Sequence, residues 1–280
     1  MDINWFPGHM AKSMRDIESS LKACDCVLYV LDSRAVRSCF NPSFDKLIDI
    51  PTVYILNKSD VVTKACADGW IAKLGKRGYT AISVEGNSSA CRKSILAAVK
   101  NACASVLEKQ KSRGVLEHVR AMVLGVPNTG KSTVINTLCG RAKLVTGNRA
   151  GVTRSVGWSR VDASLDVLDT PGTLYPKITD RCIGENLAII GSIKDEVIDR
   201  AELAAALINR LNAIDSEILR SRYGETVDAE NGLTVIAQKR GFKIRGGEAD
   251  SERAAVALLD DYRKCRLGKI ALEYAEDCNE

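Results

Sequence analysis

Residues 125–132 read GVPNTGKS, a Gly-x-x-x-x-Gly-Lys-Ser segment set between an apolar run, RAMVLGV (120–126), and a helical pattern over 131–139. No other feature restricts the fold as tightly. A glycine-rich turn between a strand and a helix lets successive backbone N–H groups converge on an anion, and the helix N-terminus adds positive potential. Gly125 and Gly130 let the backbone wrap a phosphate, and Asn128, Thr129, Gly130 and Thr133 lie along that cradle. Lys131 neutralises β- and γ-phosphate charge, and Ser132 offers a hydroxyl to Mg²⁺.

A strand–loop–helix of this kind belongs in a parallel sheet, and the flanking sequence supplies one. CVLYVLD (26–32), TVYILN (52–57), YTAISV (79–84), RAMVLGV (120–126) and SLDVLD (164–169) are strand-length apolar runs, separated by helical patterns at 10–22, 64–75, 90–109 and 131–139. The alternation predicts an α/β domain with a mostly parallel sheet. After about residue 178 the pattern turns helical without strand partners, so the expected division is a first domain over 1–178 and a small all-helical domain over 179–280.

Further motifs specify the ligand. LDVLDTPG ends a strand in Asp169-Thr170-Pro171-Gly172, about forty residues beyond the phosphate loop. Asp169 is placed to hold Mg²⁺ through water, and the Gly172 N–H to reach a γ-phosphate. Between them, Thr153 in RAGVTRS (149–155) has the position of a switch threonine that covers Mg²⁺ when a γ-phosphate is present. Guanine, unlike adenine, offers N1–H and a 2-amino group to a carboxylate. ILNKSDVV supplies one: Asp60 reads the base, Lys58 lies along it, Asn57 braces the loop and Ser59 completes the turn. AISVEGN then offers Ser83 and Val84 as the loop whose backbone contacts guanine O6. Both base elements precede the phosphate loop, and residues 173–280 hold only GSIKDE, which lacks the asparagine. The motif order is that of a circularly permuted GTPase, which a compact domain tolerates because its termini commonly lie close together.

The combination resembles the ribosome biogenesis GTPase A (YlqF/RbgA) family of circularly permuted GTPases. The resemblance runs nearly the whole length, through WFPGHM, NKSD, GVPNTGKS, GVT, DTPGTLYPK, GSIKD and DDYRKCRLGKIALE. It implies GTP binding and hydrolysis with Mg²⁺, stimulation by the large ribosomal subunit at a late step of 50S maturation, and binding to 23S ribosomal RNA through the helical domain. Family members lack the water-positioning glutamine of Ras-like proteins and carry an apolar residue after Asp-x-Pro-Gly. Here Thr173 departs from that pattern and Leu174 follows it.

Two readings are open for His9, one of only two histidines. Either Trp5, Phe6 and Pro7 pack as a plug and His9 merely starts a helix, or, as the resemblance implies, His9 orients water in place of the absent glutamine. Asn128 likewise either shapes the phosphate loop or places its side-chain carbonyl on a K⁺ ion beside the β/γ-phosphates. Two basic clusters are the candidate RNA contacts: Lys239, Arg240, Lys243 and Arg245, then Arg263, Lys264, Arg266 and Lys269.

The remaining composition is permissive. A net charge of +5 permits a nucleic-acid partner without requiring one, and the ten cysteines show no C-x-x-C pair. They read as reduced thiols of a cytoplasmic protein, with no membrane or DNA partner and a monomeric state away from the ribosome. Two other functions fit the same motifs: a GTP-dependent RNA-binding switch, and an RNA-modification GTPase, which would need a second catalytic site.

Overall fold

The computed structural model describes residues 8–140, 157–174 and 178–278, with side chains from Met14 onward. Cys26–Asp32 (β1), Thr52–Asn57 (β2), Thr80–Ser83 (β3), Val119–Leu124 (β4), Gly157–Arg160 (β5) and Leu165–Asp169 (β6) form one sheet in the order β3-β2-β1-β4-β6-β5. Every pairing is parallel except β5 with β6. β1 sits at the centre, pairing Val27 with Thr52 on one side and with Met122 on the other. All seven of its residues are buried, which is why Cys26–Leu31 read as an uninterrupted apolar run.

Alternate side chains of the strands enter two cores. On one face Cys26, Leu28, Val30, Ile55 and Val123 pack against Ser89–Ala102 (α5) and Lys131–Cys139 (α7) through Ile95, Val134 and Leu138. On the other face Tyr29, Leu31, Leu56 and Met122 meet Gly8–Leu21 (α1) and Lys64–Lys76 (α4) through Ile17, Trp70 and Leu74. Two single-turn helices, Val36–Cys39 (α2) and Pro42–Asp45 (α3), follow β1, and Ala104–Ser112 (α6) follows α5. The pattern over 90–109 is therefore two helices, broken at the fully buried Cys103. β5 had no counterpart among the expected strands.

The helical block is Arg181–Ile189 (α8), Arg200–Ile214 (α9), Glu217–Tyr223 (α10), Gly232–Arg240 (α11) and Ser251–Arg263 (α12). Asp180, Asp199 and Asp250 cap α8, α9 and α12, each accepting from backbone N–H groups of the first turn. Its core residues Leu187, Leu207 and Leu258 belong to the same continuous cluster as Tyr29 and Leu31. Residues 264–278 then return to the sheet half as a strap. The Leu272 N–H donates to the Arg34 carbonyl at 2.7 Å. The buried Glu273 carboxylate accepts from Ser38 N (3.1 Å), Ser38 Oγ (2.5 Å) and Asn186 Nδ2 (2.9 Å). Trp70 Nε1 donates to the Glu273 carbonyl at 3.3 Å. No helix among the described residues is long and apolar enough to cross a membrane.

Candidate nucleotide site

Three loops at the C-terminal ends of the central strands converge, where parallel sheets commonly place ligands. β2 ends at Asn57, whose Nδ2 donates to the Thr129 carbonyl at 2.8 Å and so ties the base loop to the phosphate loop. The approach is close. A Cβ on Gly86 would stand 2.6 Å from Asn57 Oδ1, and one on Gly130 2.2 Å from Asn57 Nδ2. Ser59 N donates to the Val84 carbonyl at 3.1 Å, bracing the loop that follows β3 and Ser83. Asp60 is exposed at the turn, its carboxylate bonded to none of the described residues, as a group that reads a base must be.

Lys58 stands in the left-handed region at φ 59°. Its ammonium donates to the Asn128 carbonyl and to Asp32 Oδ2, both at 2.7 Å. Asp32, fully buried at the end of β1, also receives Arg34 Nε (2.9 Å) and Nη2 (2.7 Å). Burial alone would raise the Asp32 pKa, but the two cations hold its carboxyl well below the ordinary range.

The phosphate loop leaves β4 at Gly125 (φ 147°), where any Cβ would lie 2.3 Å from the Val30 carbonyl, and enters α7 at Gly130 (φ 94°). No side chain caps α7, so its first N–H groups are left for a ligand. Thr129 is buried, its hydroxyl donating to the Val126 carbonyl at 3.1 Å, and Thr133 is half-buried in the first turn of α7. The buried Lys131 ammonium donates to the carbonyls of Gly125 (3.0 Å) and Val126 (2.8 Å), and burial lowers its pKa to about 8 despite nearby Asp169. Asp169 ends β6 with both carboxylate oxygens buried and bonded to no described group. Burial pushes its pKa up to about 6 against the pull of Lys131. Gly172 closes the cradle: a Cβ there would be 2.7 Å from Pro127 Cα and 2.9 Å from Lys131 Nζ.

The comparisons with known proteins agree with this geometry. The chain is 34% identical to the ribosome biogenesis GTPase A of Bacillus cereus over 285 residues, covering 100% of this chain and 96% of that protein. The chain belongs to the ribosome biogenesis GTPase A family. The family member of Thermotoga maritima is 29% identical over 277 residues, 98% of this chain and 95% of that one. The GNP-bound crystal structure of YlqF from T. maritima matches with a TM-score of 0.67 at 25% identity, over 95% of this chain and 100% of that chain. A family model described as a 50S ribosome-binding GTPase matches residues 120–239.

In this member of the family, Asp169 and Ser132 are the described residues that fit Mg²⁺: a hard cation takes oxygen ligands, and the Asp169 oxygens are otherwise unsatisfied. Mg²⁺ there would neutralise charge between the phosphates. Thr153 lies outside the described residues. His9 falls in the first turn of α1, and its side chain also lies outside them. Thr173 is buried and turns its hydroxyl onto the Pro171 carbonyl at 3.1 Å, while its own carbonyl accepts from Asn41 Nδ2 at 3.2 Å. The hydroxyl is thus satisfied locally.

Sequence reasoning missed two parts of the site. Asp32, itself held by Arg34, holds Lys58, and the only signal was two charged residues, Asp32 and Arg34, at the end of an apolar run. Gly191 and Ser192 dock the helical block on the phosphate loop: Asn128 Nδ2 donates to the Gly191 carbonyl at 2.5 Å, and Ser192 Oγ to the Pro127 carbonyl at 2.6 Å. A cavity of about 830 Å³ beside that contact is lined by Arg34, Lys58, Asn128, Lys194 and Arg263 among others.

The eight candidate RNA contacts are split. Lys239 pairs with Glu225, Arg240 with Asp261, Arg263 with Asp195, Lys264 with Asp260, and Arg266 with Asp260 and Asp261. Lys243, Arg245 and Lys269 are exposed and pair with no carboxylate among the described residues.

Proposed function

We propose that this protein is a GTP-hydrolysing assembly factor for the large ribosomal subunit, acting on a late precursor, contacting its 23S RNA and turning over faster when bound to it. The observation that carries the GTPase reading is the closure of the base loop on the phosphate loop through Asn57, with an Asp169 carboxylate beside Lys131 that is bonded to none of the described residues. The ribosomal part draws on the names of the relatives and of the family model. In this reading Lys131 and the Gly172 N–H stabilise the transferring phosphoryl group, and Ser132, Thr153 and Asp169 hold Mg²⁺. His9 orients the attacking water, and Asn128 presents its carbonyl to K⁺. The protein works in the cytoplasm, as a monomer when off the ribosome, with neither DNA nor membrane as partner.

Sedimentation with large subunits tests the reading. Co-migration with a non-hydrolysable GTP analogue and release with GDP is the expected outcome; no co-migration under either nucleotide would leave a GTPase without this partner. His9→Ala should keep nucleotide affinity and lose subunit-stimulated turnover, and hydrolysis in NaCl should be slower than in KCl.

A further inference from the structure

Formal charge is unevenly divided along the chain. Residues 1–178 carry 25 Lys and Arg against 15 Asp and Glu, a net of +10, while residues 179–280 carry 15 against 20, a net of −5. The helical half is an acidic body, and five of its eight candidate RNA contacts already face carboxylates. A polyanion gains from counterion release only where a cation is not already neutralised by the protein.

Among the described residues, a larger group of exposed cations without carboxylate partners lies in the other half. Residues 86–116 hold Arg92, Lys93, Lys100, Lys109, Lys111 and Arg113 with Glu108 as the single acid. Arg92 pairs with Asp162 at 3.2 Å. The other five are exposed and pair with no carboxylate among the described residues. α5 starts beside the C-terminal end of β3 and runs back along the sheet, so Lys100 stands at the end away from the nucleotide loops. Lys93 stands two helical turns earlier on the same face, roughly 10 Å along the axis. α6 lies at that far end, fixed to the start of β4 by Gln110, whose side chain donates to the His118 carbonyl (2.8 Å) and accepts from its N–H (2.9 Å). α6 buries no residue completely, and only Val106 and Leu107 rest on the edge of the core. Its packing leaves most of its surface to solvent, and that surface is basic.

We infer that the end of α5, α6 and the turn to Arg113 form the principal contact with structured RNA, on the sheet face opposite the helical block. The inference rests on the proposed ribosomal role and specifies its surface. Exposed lysines on flexible stems, without aromatic residues for base stacking, suit the phosphates of folded RNA recognised by shape and charge. An acidic protein partner is the competing source of negative charge, and the assay separates the two. Because the surface is remote from the phosphate loop, its contribution is common to both nucleotide states, and release with GDP comes from the rest of the interface.

The test compares the variant Lys109→Gln/Lys111→Gln/Arg113→Gln with Lys243→Gln/Arg245→Gln/Lys269→Gln, the three exposed and unpaired cations of the helical half. Binding is measured to large ribosomal subunits and to the protein-free RNA extracted from them, between 50 and 200 mM KCl. Three lost phosphate contacts should flatten the slope of log K against log[salt] by up to about 2.7, so that salt weakens the α6 variant roughly 40-fold less across this range than the wild type. The helical variant should change the slope by less than about 1. Melting temperature and basal GTP hydrolysis should stay at wild-type values in both. A wild-type slope in the α6 variant overturns the inference, as does a variant that loses the subunit but keeps the RNA, which would mean a protein contact. If the wild type binds neither probe at any salt, the ribosomal reading fails and this surface falls with it.

Discussion

Asp32→Asn isolates the least expected part of the site. The carboxylate is fully buried and receives the Arg34 guanidinium twice and the Lys58 ammonium once. The asparagine keeps the volume but removes the charge, leaving Arg34 buried without a counter-ion. Breaking a buried pair from one side costs roughly 3–5 kcal/mol, a large share of the about 5–15 kcal/mol that stabilises a domain. Lys58 then keeps only the Asn128 carbonyl, so the base loop loosens as well. Urea unfolding should show the loss in midpoint without a change in slope, and a fluorescent guanine nucleotide should bind at least tenfold more weakly. The double variant Asp32→Leu/Arg34→Met should recover much of the stability, since a packed apolar pair replaces two buried charges, while nucleotide binding stays weak because Lys58 is still unsupported. The pH dependence has a definite sign. A carboxyl depressed on folding contributes stability above its unfolded pKa near 4, and that contribution fades only as pH falls toward the lower folded value. The wild-type excess over Asp32→Asn should therefore be flat from pH 8 to about 5. A loss under about 1 kcal/mol, or a variant with wild-type nucleotide affinity, would refute the account.

Gly172→Ala should bind GDP nearly normally yet lose most turnover, because the added Cβ would clash with the Pro127 backbone and force the loop off the phosphate cradle; single-turnover hydrolysis checks this. Asp169→Asn should stabilise the nucleotide- and metal-free protein at pH 7 by about 2–3 kcal/mol, given a folded pKa raised to about 6. The sign follows from that raised value: the wild type loses this stability as pH climbs from about 4 through 6, so melts in EDTA should converge at pH 4 and separate at pH 7. The same variant should bind nucleotide without a response to Mg²⁺. Glu273→Ala strips the acceptor from Ser38 and Asn186 and should cost about 2–4 kcal/mol, seen in denaturant unfolding.

The sheet was legible because parallel strands buried on both faces appear as apolar runs. The expected strands at 26–32 and 52–57 match β1 and β2 residue for residue, and 79–84, 120–126 and 164–169 differ from β3, β4 and β6 only at their ends. β5 was not legible: Gly-Trp-Ser-Arg is a short edge strand with only Ser159 buried, and it has no apolar alternation. The break between α5 and α6 carries no glycine or proline, since it is set by Cys103 packing into the core. In the site, residues whose chemistry is local to one loop, such as Lys131 and Asp60, stood out in the sequence. Asp32, Gly191 and Glu273 act through partners 26, 63 and 235 positions away. No spacing rule reaches across such separations.

Those long-range contacts decide what the permutation ties together. From Gly172 the chain leads into α8, and the turn after α8 returns to the phosphate loop at Pro127 and Asn128. Arg263, at the end of α12, donates to the carbonyls of Ala188 (2.8 Å) and Ile189 (2.9 Å) and pairs with Asp195, so it fixes that turn from behind. Its own carbonyl accepts from Arg34 Nη1 at 3.5 Å, and Arg34 in turn holds the Asp32 that holds Lys58. The base loop, the phosphate loop and the helical block thus share one chain of buried and half-buried polar contacts. A displacement of Gly172 would first load Thr173, whose carbonyl is held by Asn41, and then α8, held through Asn186 on Glu273, before it reached the turn that Gly191 and Ser192 dock on the phosphate loop. Coupling of this kind needs two discrete arrangements of the contact. The contacts of Gly191 and Arg263 are the place to look for the second.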